Sequence, residues 1–249
     1  MKKKYLKQDE FNKGIYQACI DGDASSASDL LHQYYFKQQK SKINSFLSIC
    51  GLGYPVLSIN PNIAESFIKA CGKGHKDVIK LFLTNESLLK ESNKQYLLLY
   101  GLTTSLQTGQ LEVVDVILPY IENKQEEYYK SLTYGLLYAC ENNQLESIKY
   151  IFNNKELKFD TYQVFYPALE IDERGDIPNR CISRAIYNNN TDILHYFAFE
   201  LSGFHKNHFL KALRNNDVNL NNLQKIETYK ELTTEINTSN NIKSKRMKV

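Results

Sequence analysis

The sequence predicts an all-α chain, a solenoid of stacked helix-turn-helix units, and three observations carry that prediction. A small residue stands four positions before a Gly or Asn six times: Ala18/Gly22, Ala70/Gly74, Ser105/Gly109, Ala139/Asn143, Ala185/Asn189 and Ala212/Asn216. Three positions before each small residue the side chain is apolar, at Ile15, Phe67, Leu102, Leu136, Ile182 and Phe209, which places both on one helical face. The steps from Ala70 to Ser105 and on to Ala139 are close to the ~33–34 residues of stacked helical repeats.

Each element follows from local chemistry. Gly and Asn tolerate a left-handed backbone, so their recurrence at one slot predicts a helix that stops there and turns sharply. The first copy runs through Ile15 and Ala18 to Gly22, and an insertion is expected at 32–60. The second opens on Asn60 and Pro61, a cap with proline at the first helical position, and resumes after its turn with Val78, Ile79, Phe82 and Leu83. The third resumes with Val113, Val114, Ile117 and Leu118. In the fourth, Asn123 precedes the long helical stretch KQEEYYKSLTYGLLYACENN, and Ile148, Ile151 and Phe152 follow. After a second expected insertion at 155–178, the fifth copy carries Ile193, Leu194 and Phe197 in its second helix. The outer copies place polar residues in slots that are apolar centrally, as water-facing terminal caps do. The repeat domain is thus expected over 1–226. Residues 227–249 lose apolar periodicity and end in Lys243, Lys245, Arg246 and Lys248, the mark of a mobile basic tail.

Composition sets limits on function. With 249 residues, 42% hydrophobic, 24% charged, 11 Gly and 5 Pro, the chain can bury a core and is not of the disordered or collagen-like classes. A net charge of +3 does not by itself call for a polyanionic partner. The five cysteines contain no Cys-x-x-Cys, so a reducing compartment is expected. Lys2, Lys3 and Lys4 are followed by polar residues rather than an apolar leader core, and the run YLLLYGL is short of the ~20 residues of a membrane span. A cytoplasmic, soluble protein is expected.

The segment FIKACGKGHKDVIKLFLTN, Phe67 to Asn85, resembles the ankyrin-repeat family, with Ala70, Gly74, His75, Val78, Ile79, Phe82 and Leu83 on the slots of that family's Leu-His-x-Ala-Ala-x-x-Gly-His-x-x-Val-Val-x-x-Leu-Leu pattern. GLTTSLQTGQLEVVDVIL from Gly101 and GLLYACENNQLESIKYIF from Gly135 are similar. The Thr-Pro-Leu-His opening and the Gly-x-Thr turn of the family's β-hairpin fingers are missing, so reduced or absent fingers and longer first helices are expected. The resemblance implies that His75 braces the turn by hydrogen bonding. It also implies a recognition surface along the first helices, with Gly72 and Lys73, Gln107 and Thr108, Glu141 and Asn142, and Tyr187 and Asn188 as readers. The lysine- and asparagine-rich composition resembles ankyrin-type effectors of intracellular bacteria and large viruses, which implies action in a host cytosol.

Candidate chemistry has a structural reading beside each functional one. Cys19, Cys71 and Cys140 all follow a small repeat residue, a packing slot for a small hydrophobe. Cys181, with His195 fourteen residues on, admits a Cys-His nucleophile pair beside the 155–178 insertion; this cryptic enzyme is the alternative to a binding protein. His205 and His208 share a helical face without a third ligand at zinc-site spacing, and Glu170, Asp172, Glu173 and Asp176 lack the alternation of a calcium loop. No cofactor is expected, because no phosphate loop, dinucleotide fingerprint, nucleophile elbow or zinc-protease motif is present. The 18 Tyr and 12 Phe suit an interface or a core equally. Tyr96, Tyr128 and Tyr129, just before first helices and near where the missing fingers would project, are candidate aromatic anchors for a partner protein, or else pack against an adjacent repeat. The basic tail offers nucleic-acid or anionic-membrane contact as a further reading.

Overall fold

The computed structural model describes residues 8–32, 61–84, 91–121, 126–157, 159, 177–226 and 228. Most of both expected insertions and nearly all of the basic tail lie outside these residues. Every regular element among them is helical and no strand occurs. The helices are α1 (Gln8–Asp21), α2 (24–32), α3 (Pro61–Lys73), α4 (Lys76–Thr84), α5 (Glu91–Gln107), α6 (Leu111–Ile117), α7 (Glu126–Glu141), α8 (Leu145–Asn153), α9 (Ile177–Tyr187), α10 (Thr191–His195), α11 (Phe204–Asn215) and α12 (220–226). First helices are long, 17 residues in α5 and 16 in α7, and second helices short, 9 in α4 and 7 in α6.

The turns explain the sequence pattern. Gly22, Gly74, Gly109, Asn143 and Asn189 all have positive φ. In the second copy His75 N–H donates to Ala70 O at 3.1 Å and Gly74 N–H to Cys71 O at 3.2 Å, the paired bonds of a Schellman cap that satisfy the last helical carbonyls. Equivalent pairs close α5 (Gln110 to Ser105, Gly109 to Leu106) and α9 (Asn190 to Ala185, Asn189 to Ile186). The small residue is therefore the one whose carbonyl receives the longest-range cap bond.

The sixth copy departs by one residue. Its left-handed position is Asp217, not Asn216, and the cap bond runs from Val218 N–H to Leu213 O. Asn216 is held out of the turn by its own side chain. Its amide donates to Ala212 O at 2.8 Å and to Asn179 Oδ1 at 3.2 Å, and its oxygen accepts from Ser183 Oγ at 2.9 Å.

Two compact units divide the described residues, one within Met1–Ala139 and Glu146–Leu169, the other within Cys140–Leu145 and Glu170–Val249. In the first, α3 packs against α1 and α5, and α4 against α6. Phe67 and Phe82 meet edge-to-face at 5.5 Å between α3 and α4. Ile15, Phe67, Leu102 and Leu136 are fully buried, as are Val78, Ile79, Val113 and Val114, each contributing roughly 1.5–3 kcal/mol of hydrophobic stabilisation. In the second unit α9 packs against α10 and α11. Helix α10 continues into a π-helical turn, Tyr196–Glu200, that brings Phe197 to stack on Phe209 at 4.1 Å.

At three of the turns the residue after the left-handed position reaches back to the preceding copy, whereas Gln144 donates to Asn142 O of its own turn at 3.3 Å. His75 Nε2 donates to Ile20 O at 2.8 Å, the bracing expected of this histidine. Asn190 Nδ2 donates to Cys140 O and Glu141 O at 2.7 and 3.2 Å, and Gln110 folds over Gly74, where a Cβ would fall 2.2 Å from its Oε1. In these three a polar side chain reaches the end of the preceding first helix. In the first copy the same slot is Asp23, which instead caps α2 by accepting from Ser26 N–H at 3.0 Å and Ser26 Oγ at 2.6 Å. Those bonds hold its carboxyl below the usual range.

Candidate functional site

In the first unit α5 and α7 build between them a groove of about 720 Å³. Its base is drawn tight by two contacts. Thr103 Oγ1 donates to Ser131 O at 3.1 Å, and Gly135 lies where an added Cβ would be 2.7 Å from Leu106 Cδ1. With the helix backbones this close, the longer side chains form the walls.

Those walls are tyrosine. Tyr96 and Tyr100 stand one turn apart on α5, and Tyr134 and Tyr138 one turn apart on α7, with Leu99, Thr103, Thr104, Gln107, Glu127, Lys130 and Ser131 completing the lining. Tyr96 is 55% exposed, Tyr100 64% and Tyr134 40%, large values for rings that bury so much apolar area when covered. Tyr134 and Tyr138 stack with centroids 6.3 Å apart and planes at 24°, so two neighbouring rings of α7 line that wall.

Of the residues nominated from sequence, the groove gathers Tyr96 and Gln107; Lys73, Thr108 and Tyr129 lie outside its lining. Tyr128 is not an exposed anchor. It is fully buried, its hydroxyl donates to Leu157 O at 3.0 Å and its ring meets Tyr129 edge-to-face at 5.3 Å. Burial raises its phenol pKa above the ordinary 10.0, so it packs the copy and does not read a partner. Glu141, Asn142, Tyr187 and Asn188 belong to the second unit. There Glu141 pairs with Arg184 at 2.6 Å, Asn188 Nδ2 donates to Arg184 O at 3.0 Å, and Tyr187 is 89% exposed. Tyr100, Tyr134 and Tyr138 were not among the nominated residues, yet the four-residue tyrosine spacing on two successive first helices was in the sequence to be read.

The cysteines occupy packing positions. Cys19, Cys71, Cys140 and Cys181 are all buried. Burial pushes the Cys19 thiol from 9.0 up to about 12 and raises Cys71 and Cys140 as well, Cys140 also through its hydrogen bond with Cys181. Thiolate is the reactive form, so these three positions should resist alkylation by iodoacetamide at pH 8 in the folded chain and react once it is unfolded. Peptide mass spectrometry reads the outcome. The linkage sign follows: the neutral thiol is favoured by folding, so its contribution is complete below pH 9 and is lost as pH rises toward about 12. His195 faces Glu200, Nδ1 to Oε1 at 3.4 Å, and Phe199 at a ring distance of 4.8 Å, while Cys181 faces Cys140. The insertion residues that the enzyme alternative needs, 160–176, lie outside the described residues.

Among the described residues no three His, Cys, Asp or Glu side chains converge as a metal site, and no helix is long and apolar enough to cross a membrane. Comparison with protein-family models, with curated proteins and with solved structures gave no match in any of the three.

Proposed function

We propose that the chain is a non-enzymatic, divergent ankyrin-type repeat protein that acts in the cytosol by binding a partner protein through the α5–α7 face. One observation carries the proposal: an open groove walled by tyrosines at one-turn spacing on two successive first helices. Tyrosine contributes a large rigid ring and a polar tip at low entropic cost, which is why it is enriched in protein interfaces. The ankyrin-type reading draws support from the repeated helix, Schellman turn and helix, and from His75 bridging to the preceding copy.

Capture from cytosolic extract, comparing the intact chain with Tyr100→Ala/Tyr134→Ala, tests it. Both rings are exposed, so the variant should keep its circular dichroism and melting temperature while the captured protein binds about 30-fold more weakly or worse. Undiminished capture by the folded variant contradicts the proposed face.

A further inference from the structure

We infer that Cys140 and Cys181 form a redox modification site, a buried dithiol that closes to a stabilising disulfide between the last turn of α7 and helix α9, both within the second unit. The inference does not depend on the α5–α7 face. It rests on the register of the repeats and on the contacts around the two thiols.

Neighbouring first helices approach closely through one pair of slots: the residue after the small one in one copy, and the residue four before the small one in the next. Between the second and third copies these are Cys71 and Gly101, and a Cβ on the glycine would lie 3.0 Å from Cys71 Sγ. Between the third and fourth they are Leu106 and Gly135, where the added Cβ would lie 3.1 Å from Leu106 Cβ. At both joints glycine leaves room for the facing side chain. A disulfide spans ~3.5–4.5 Å between its Cβ atoms, so this slot pair lies near the separation that a disulfide bridges. At the next joint the same two slots hold Cys140 and Cys181.

The contacts agree with the register. The Cys140 thiol hydrogen-bonds with that of Cys181, and neither residue has exposed surface. Asn190 Nδ2 donates to Cys140 O at 2.7 Å, and Arg184 pairs with Glu141 at 2.6 Å, which fastens the backbones beside the two sulfurs. Groups held together in this way react as one unit, with little further freedom to lose. Cys19 and Cys71 differ. Each follows the small residue of its own copy, and the register sets Ser66 opposite Cys19.

The oxidant class is a low-molecular-weight disulfide such as glutathione disulfide. One protein thiolate attacks it and expels a glutathione thiolate; the second attacks the protein sulfur of the mixed disulfide and expels the other glutathione. The two protons lost by the cysteines end on the two glutathione thiols, and two electrons pass from the pair to the oxidant. Burial raises the Cys140 thiol and excludes the reagent, so exchange runs through local opening of the second unit. Once closed, the bond ties off a loop of about 40 residues and restricts the unfolded chain.

The test takes the full chain, reduced with dithiothreitol, and equilibrates it at pH 8 in equimolar reduced and oxidised glutathione with sub-denaturing urea to speed opening. After acid quenching, peptide mass spectrometry without reduction should find the Cys140–Cys181 cross-link at least about tenfold above any other cysteine pairing or glutathione adduct. The oxidised chain should melt at least about 5 °C above the reduced one. Cys181→Ser should abolish that difference, and Cys19→Ser should keep it. Should Cys181→Ser fail to fold, the cross-link map and melting shift of the parent chain still decide. Cysteines left as thiols or glutathione adducts, a Cys19–Cys71 cross-link in equal yield, or a Cys140–Cys181 bond that fails to raise the melting temperature overturns the inference.

Discussion

Tyr128→Ala is expected to cost about 4 kcal/mol or more of folding stability, a large part of the ~5–15 kcal/mol that holds a domain together. The ring is fully buried and its hydroxyl donates to Leu157 O at 3.0 Å. Truncation removes the apolar burial, leaves a cavity and strands a carbonyl that lies 29 residues away in sequence. Tyr128→Phe keeps the ring and should cost only about 1–2 kcal/mol. Tyr100→Ala, at a ring 64% exposed, should stay within about 0.5 kcal/mol. Urea unfolding of the three variants separates the roles: a core residue, a single buried hydrogen bond and a surface ring. A Tyr128→Ala protein as stable as the parent would mean that the start of α7 is not anchored to the turn after α8.

Gly101→Val should destabilise by about 3 kcal/mol or more, through overpacking rather than through loss of a contact. A Cβ at this position would lie 2.8 Å from Phe67 Cε1, 3.0 Å from Cys71 Sγ and 3.2 Å from Ile117 Cδ1, so three side chains from α3 and α6 would have to move together. The two further methyl groups of valine add to that strain. Gly72→Ala is the control. Its Cβ meets chiefly Thr104 Cγ2, at 3.1 Å, and the helix gains about 1 kcal/mol in propensity from alanine. Thermal melts should therefore drop sharply for the first and hold or rise for the second. Equal behaviour would show that α5 does not lie close against α3 and α6 at Gly101.

Much of the helical framework could be read from spacing because it depends on local rules. The apolar residue three before the small one is buried in all six copies, and Gly or Asn takes the left-handed position in five. The sixth shifts to Asp217 because Asn216 spends its amide on Ala212, Asn179 and Ser183, a contact with α9 that no spacing within α11 reveals. Tyr128 was misplaced for a related reason. Its partner carbonyl belongs to Leu157, and only its place one turn before Leu132 and two before Leu136, both buried, marks it as a core position. The groove was half legible. The sequence offers Tyr96 together with Tyr128 and Tyr129 as anchors, whereas the groove depends on the pairing of α5 with α7, at which Thr103 and Gly135 make close contacts.

Replacing Tyr100 with the photo-crosslinker p-benzoylphenylalanine, and separately Tyr187, tests the proposed face most directly. Both positions are exposed, and they belong to different compact units. Irradiation in the presence of the captured protein should give a covalent adduct from position 100 and little or none from position 187. An adduct from position 187 alone would contradict binding at the α5–α7 groove.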